Sequence, residues 1–264
     1  MKTFIERALS APVRGLGFEI FARKPGHYYV PDYFGNSAPK RLDIRKIPIF
    51  GELAKAVISE GRTLLYYDRL YMLYQALENL ARRFGTEGAL RIAEVGVYKG
   101  GTSKFLIRAA AALNLGQAAL DAFDTFDGHS NADIRPGVDA ASHVPHLFGD
   151  ADFAEVSRYL GGVPGVRIHK GRFQDTCGAA ADSRFHLAHL DVDLYAPTAF
   201  ALDFFDSRLV PGGALIIDDY GVSSCPGVRR AVEEFLAPRP HYFVMHPLTE
   251  QCILVKMGRA SAGG

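Results

Sequence analysis

The 264-residue sequence predicts an α/β fold, a Rossmann-like and mostly parallel seven-stranded sheet that ends in an antiparallel hairpin. Two observations carry this. From residue 90 onward, short apolar runs alternate with longer stretches of helical period, as strands do when crossover helices join them. At the C-terminal end, two apolar runs are separated only by a short turn, which is too brief for a crossover and so makes an antiparallel pair.

Strands are expected at Leu90–Val95, Ala119–Phe123, Val166–Lys170, Phe185–Asp191 and Ala214–Asp218, with the hairpin at His241–His246 and Cys252–Met257. Helices are expected around Ser103–Leu113, Phe153–Leu160, Thr198–Phe205 and Val228–Leu236. Residues 1–89 are rich in Tyr, Arg and Pro and show no such alternation. Within them, Leu70, Leu73, Leu77 and Leu80 recur at helical spacing inside Tyr66–Phe84, which predicts one amphipathic helix. Pro31, Gly35 and Pro39 punctuate an irregular segment before it. The expected organisation is an N-terminal extension at 1–89, a ligand-binding core at 90–258 and a flexible tail at 259–264.

Composition narrows the function classes. Lys and Arg number 30 against 29 Asp and Glu, a formal net charge of +1 that argues against a nucleic-acid partner. Cys177, Cys225 and Cys252 form no CxxC pair, and an odd, sparse set suits a reducing compartment. No apolar run approaches the roughly 18–20 residues that cross a bilayer. Glu6 and Arg7 interrupt the first apolar stretch, so it does not read as a secretory signal. A cytoplasmic enzyme without a membrane partner is expected, and a homo-oligomer is the usual prior for such proteins.

Three motifs could carry chemistry. In RIAEVGVYKGGTS (91–103) a strand runs through Glu94 to Gly96, and Gly100 and Gly101 precede a helix starting near Thr102 or Ser103. Glycines allow close backbone approach, and a helix N-terminus offers free N–H groups to an anionic ligand. An ordinary tight turn would look the same. Tyr98 breaks the GxGxxG spacing, which disfavours a nicotinamide cofactor. In LDAFDTFDGH (120–129), Asp124 ends the second strand, where a carboxylate can bind ribose hydroxyls. Asp127 competes for that role, and a turn aspartate is the plain alternative.

The third motif is the most informative. HLDVDLY (189–195) and ALIIDDYG (214–221) each place acidic residues at the carboxyl end of a parallel strand, the ligand-binding edge of open α/β sheets. Asp191, Asp218 and Asp219 could converge on one hard cation, since magnesium takes oxygen ligands. Asp193, two residues beyond Asp191, could act on a group that the cation holds. DxD and DD also occur as helix caps. Two such clusters on neighbouring strand ends favour the cation, because crowding four carboxylates without one is costly. His189 reads as a hydrogen-bonded core residue. His129, His143 and His146 fall in the long loop at 127–152, where one could line a substrate pocket, although a solvated loop histidine is the expected reading.

The ordered set EVGVYKGGTS, FDTFDG, GRFQDT, HLDVDLYAPT, LVPGGALIIDDYG and CPGVRRAVEEF resembles the macrocin O-methyltransferase (TylF-type) family of class I methyltransferases, over roughly residues 61–257. The resemblance implies S-adenosylmethionine and magnesium as cofactors, and as acceptor a sugar hydroxyl of a glycosylated small molecule. It matches Asp191, Asp218 and Asp219 to metal-binding aspartates and Asp193 to a general base. It places Glu94, Gly96, Tyr98, Thr102 and Ser103 in the cofactor loop and Asp124 at the ribose. Val97, Gly100, Thr125, Phe126, Gln174, Asp175 and Asp191 complete the expected cofactor contacts. Residues 1–60 and the 127–152 loop depart from the family pattern; they would supply the lid and acceptor pocket, so the acceptor stays open. The competing readings are a DxD metal-dependent glycosyltransferase and a non-catalytic binding module that keeps the fold.

Overall fold

A computed structural model of the chain describes residues 43–85 and 88–258. The expectations for Pro31, Gly35, Pro39 and the 259–264 tail lie outside these residues. Helices α1 (Phe50–Ser59) and α2 (Tyr67–Phe84) precede β1 (Arg91–Val95). There follow α3 (Gly101–Ala112), β2 (Ala119–Asp124), α4 (Phe153–Gly161), β3 (Val166–Lys170), a single helical turn α5 (Phe173–Thr176) and β4 (Phe185–Leu190). The chain then forms α6 (Tyr195–Asp206), β5 (Leu209–Ile217), α7 (Pro226–Leu236), β6 (Tyr242–Met245) and β7 (Cys252–Lys256).

The seven strands make one sheet in the order β3-β2-β1-β4-β5-β7-β6. The first five are parallel, and β7 runs antiparallel to both β5 and β6. All seven strands lie where the sequence pattern puts them. Two differences have simple causes. Strand β5 begins five residues before the expected Ala214, because Leu209 pairs with Phe185 across an irregular register. Helix α6 begins at Tyr195 rather than Thr198, since Pro197 falls in its first turn, where no intrahelical N–H partner is lost. Helix α1 was not expected at all.

Successive strand residues face opposite layers. Ile92, Leu187 and Ile216 point toward α1, α2 and α3, while Ala93, Ala188 and Leu215 point toward α6 and α7. The amphipathic stripe of α2 is buried as its spacing requires, with Leu70, Leu73 and Leu77 at 0 % exposure. Phe50 anchors α1 by packing its ring on Tyr67, Tyr71, Tyr74 and Phe105. Each such large side chain contributes roughly 1.5–3 kcal/mol on burial. Residues 43–84 therefore share the core of the sheet domain.

The strand order reverses between β1 and β4: the chain moves outward from β1 to β3, then returns to the other side of β1. Loops leaving adjacent strands part at such a switch point and open a crevice at their carboxyl ends. None of the described helices is long and apolar enough to cross a membrane.

Candidate active site

A pocket occupies that crevice, walled by the loops after β1, β2, β4 and β5 and by the start of α2. Each of those four loops holds a non-glycine residue in the left-handed region close after its strand: Tyr98 (φ 50°), Phe126 (φ 52°), Asp193 (φ 59°) and Asp219 (φ 60°), and the loop after β2 adds His146 and Phe148. Such conformations cost of order 1–3 kcal/mol each and cluster at ligand sites, where the surrounding structure enforces them.

The loop after β1 is shaped by two contacts. Gly96 has φ +91°, and a Cβ there would sit 1.8 Å from the Asp191 carbonyl oxygen, so the ends of β1 and β4 meet at a point only glycine fits. Asp124 then pins the loop from the side. Its Oδ2 accepts hydrogen bonds from the Val97 and Tyr98 amides at 2.6 and 2.8 Å, and its Oδ1 accepts from the Phe126 amide at 2.6 Å. A carboxylate offers about four acceptor positions, and the Thr125 hydroxyl, 3.5 Å from Oδ1, approaches the fourth.

Six of the expected cofactor residues reach the pocket wall: Gly96, Tyr98, Asp124, Thr125, Gln174 and Asp191. Gln174 donates from Nε2 to Asp133 at 2.9 Å, while its buried Oε1 has no partner among the described residues. Asp133 is itself gripped by Arg172 at 3.0 and 2.6 Å. Val97, Gly100 and Phe126 are buried in the loop and line no part of the pocket. Glu94, Thr102 and Ser103 also stand behind it. Ser103 donates to Glu94, and Thr102 shares a 2.8 Å hydroxyl contact with Thr63, so these three brace the loop. Asp175 faces solvent and pairs with Arg172 at 3.4 Å.

The acidic residues fall into two groups, with Asp219 apart from Asp191 and Asp218. Ligand atoms of His189, Asp191 and Asp218 lie within 4.8 Å of one another, as do those of Asp193, Asp219 and Cys225. Burial, followed by the charges of Asp218 and Asp219, pushes the Asp191 carboxyl well above its ordinary value. Burial and the charges of Asp193 and Asp218 push Asp219 up to about 7. Asp193 goes the other way: burial would raise it, but its contacts, led by the hydrogen bond from His129, outweigh that and lower it. His189 is fully buried with Nδ1 3.2 Å from Glu94 and Nε2 3.5 Å from Asp218. Burial would lower its pKa, but those two carboxylates raise it to about 10.

The donor set fits a hard divalent cation. Asp191, Asp218 and Asp219 offer only oxygen, and the Oδ1 of Asp218 is buried without a hydrogen-bond partner among the described residues. Arg69 of α2 also enters the cluster, with NH1 3.5 Å from Asp218 and 3.8 Å from Asp219.

Sequence reasoning missed Arg69 and Cys225, and raised His129 only as one of three loop histidines of which one could line a pocket, as it does. Arg69 carried a signal, because it falls on the same helical stripe as Leu73 and Leu77, where a charge is out of place. The expectation that the loop histidines are solvated holds for His146 but fails for the other two. His129 is 9 % and His143 7 % exposed, because the 127–152 loop folds back against Asp193 and Ser224.

The match to known proteins agrees with this geometry. Residues 55–250 match the family described as macrocin-O-methyltransferase (TylF). The chain belongs to the macrocin O-methyltransferase family. It is an S-adenosylmethionine-dependent O-methyltransferase. It is 31 % identical over 208 residues to the 8-demethyl-8-(2,3-dimethoxy-alpha-L-rhamnosyl)-tetracenomycin-C 4'-O-methyltransferase of Streptomyces olivaceus, covering 73 % of each chain. It is also 31 % identical to the mycinamicin III 3''-O-methyltransferase of Micromonospora griseorubida, covering 66 % of this chain and 70 % of that one. Among solved structures, the O-methyltransferase NovP superposes with a TM-score of 0.65 at 22 % identity, over 75 % of this chain and 83 % of that one. That likeness concerns the fold.

Proposed function

We propose that this O-methyltransferase acts on a sugar hydroxyl of a glycosylated small molecule and uses a divalent cation, magnesium by its donor set, held by Asp191, Asp218 and Asp219. The reading is carried by Asp191, Asp193 and Asp219 on the pocket wall, with the buried Asp218 grouped beside Asp191 behind it. The names of the two relatives, one methylating a rhamnosyl compound, support the acceptor class.

Bound together, the two cofactors supply an electrophilic sulfonium methyl and a cation that lowers the pKa of a hydroxyl and fixes its direction. The chain's residues do the rest. The loop after β1, through Gly96 and Tyr98, receives the methionyl end, with Asp124, Thr125 and Gln174 along the adenosyl end. Asp193 takes the acceptor's proton, a role that needs hydrogen-bond reach and a carboxylate that stays ionised at neutral pH. The low pKa of Asp193 beside its raised neighbours meets the second condition.

The test is methyl transfer to rhamnosylated acceptors and to their aglycones, in magnesium and in EDTA. Turnover that needs both the sugar and the ion is expected. Full turnover in EDTA would remove the cation, and equal turnover of the aglycone would remove the sugar. Titration with a nucleotide-sugar is expected to show no binding, against the glycosyltransferase alternative.

A further inference from the structure

We propose that His129 is the positioning residue for the Asp193 base, fixing the rotation of that carboxylate so that one defined oxygen faces the acceptor hydroxyl. The proposal rests on the assignment of Asp193 as base.

Asp193 sits in a loop just past β4, in a left-handed conformation, and a carboxylate so placed can rotate about its own side chain. Proton abstraction requires alignment, and a small misplacement of a reacting group costs rate steeply. Besides Asp219 of the loop after β5, two more distant segments meet the carboxylate. From the 127–152 loop, His129 places Nε2 3.3 Å from Oδ2. From the start of α7, the Cys225 thiol lies 3.7 Å from Oδ1.

His129 is itself held rigidly. Its side chain is only 8 % exposed, and its ring lies between His143 at 5.2 Å and Phe148 at 5.5 Å. Its backbone is clasped in both directions, donating to Leu147 and accepting from His146, each at 3.0 Å. His143 ties the same loop to the α7 side through Nε2, 2.7 Å from the Ser224 carbonyl oxygen. Both imidazole Nδ1 atoms are buried without partners among the described residues. With the proton on Nε2, His129 donates to Oδ2 and leaves a lone pair, not an N–H, on its unpartnered side. Oδ1, beside a weak thiol donor, is then the oxygen that receives the proton.

The balance is simple. The acceptor oxygen forms the bond to the methyl carbon, the C–S electron pair returns to sulfur, and the hydroxyl proton moves to Asp193 Oδ1. His129 makes and breaks no covalent bond. Its contribution is the direction of the carboxylate.

The experiment uses the full chain with a rhamnosylated acceptor in four variants: His129→Phe, His129→Gln, Asp193→Asn and the Asp193→Asn/His129→Phe pair. Turnover, acceptor KM, S-adenosylhomocysteine Kd and thermal melting are measured for each. His129→Phe is expected to lower kcat about tenfold or more while KM and Kd stay within about twofold, the pattern of an interaction realised in the transition state. His129→Gln, whose side-chain amide can donate to the same oxygen, is expected to recover most of that loss. In the Asp193→Asn background, adding His129→Phe is expected to change kcat by less than about twofold, because the two residues act as a unit. A His129→Phe enzyme with near wild-type kcat overturns the proposal. So does His129→Gln no better than Phe, or a loss shared by kcat, KM, Kd and melting temperature, which is packing alone. Full turnover in Asp193→Asn removes the base and this proposal with it, whereas an inactive Asp193→Asn beside a fully active His129→Phe removes this proposal only.

Discussion

The Arg69 guanidinium reaches from α2 to within 3.5 Å of Asp218 Oδ2 and 3.8 Å of Asp219 Oδ1, while its other terminal nitrogen donates to the Leu64 carbonyl at 3.1 Å. Burial alone would lower its pKa; the charges of Asp218, Asp191 and Asp219 outweigh that and raise it. One fixed positive charge thus sits among the carboxylates proposed to bind a divalent ion. Arg69→Met is expected to destabilise the metal-free protein by about 2 kcal/mol, between the values for exposed and buried pairs. Removing a like charge is also expected to tighten magnesium binding. Thermal melts in EDTA and in excess magnesium check this. The gap between wild type and variant should be wide in EDTA and narrow with the ion; a gap of equal size in both would separate Arg69 from the cation site.

Gly96 makes a different kind of demand. With φ +91° and the Asp191 carbonyl where a Cβ would go, Gly96→Ala must both strain the backbone and push the ends of β1 and β4 apart. The expected cost is about 3 kcal/mol, combining strain with overpacking. Because Asp191 moves with β4, loss of S-adenosylhomocysteine binding is expected alongside it. Urea unfolding and calorimetry measure the two effects. An alanine variant that binds normally would show that the close approach serves no role in the site.

The strand periods and their order were legible in the sequence because burial on both faces leaves short apolar runs such as Ala214–Ile217. The acidic ends of those runs were legible for the same reason, since a carboxylate just beyond a buried strand has one place to go. His129 was not legible. Its burial depends on a loop folding back on Asp193, 64 residues away, and local polarity holds no trace of that. Helix α1 was hidden too, because its burial depends on Phe50 meeting tyrosines of α2. Gln174 and Asp175 show the limit within one motif: adjacent residues on a helical turn point about 100° apart, so one lines the pocket and the other meets solvent.

Asp218 separates metal binding from cofactor binding. Its side chain is fully buried, its Oδ1 lacks a hydrogen-bond partner among the described residues, and it does not line the pocket where the adenosyl end is proposed to lie. Asp218→Asn removes a charge but little volume. The magnesium concentration for half-maximal turnover is expected to rise about tenfold or more, in line with the loss of a charged ligand. S-adenosylhomocysteine affinity in EDTA should stay near wild type. A variant with unchanged magnesium dependence would take Asp218 out of the ligand set.

Besides the β5–β7 ladder, the C-terminal hairpin is tied to α6 through one carboxylate, and the strength of that tie should depend on pH. Asp206, the last residue of α6, accepts from Arg239 Nε and from the Tyr242 hydroxyl, each at 2.8 Å. Burial would raise its pKa, but the hydrogen bonds from Arg239 and Tyr242 outweigh burial and lower it. A carboxylate with a depressed folded-state pKa binds fewer protons folded than unfolded. Its stabilisation is therefore complete above the unfolded value of about 3.9 and fades as pH falls through the folded value. Asp206→Asn is expected to cost about 1.5–3 kcal/mol at neutral pH, the range for hydrogen bonds to a charged group. That difference should shrink steadily as pH drops below about 4. Urea unfolding of both proteins across this range measures it, and a difference that ignores pH would mean the hairpin is held by packing of Tyr242 on Phe235 rather than by the charge on Asp206.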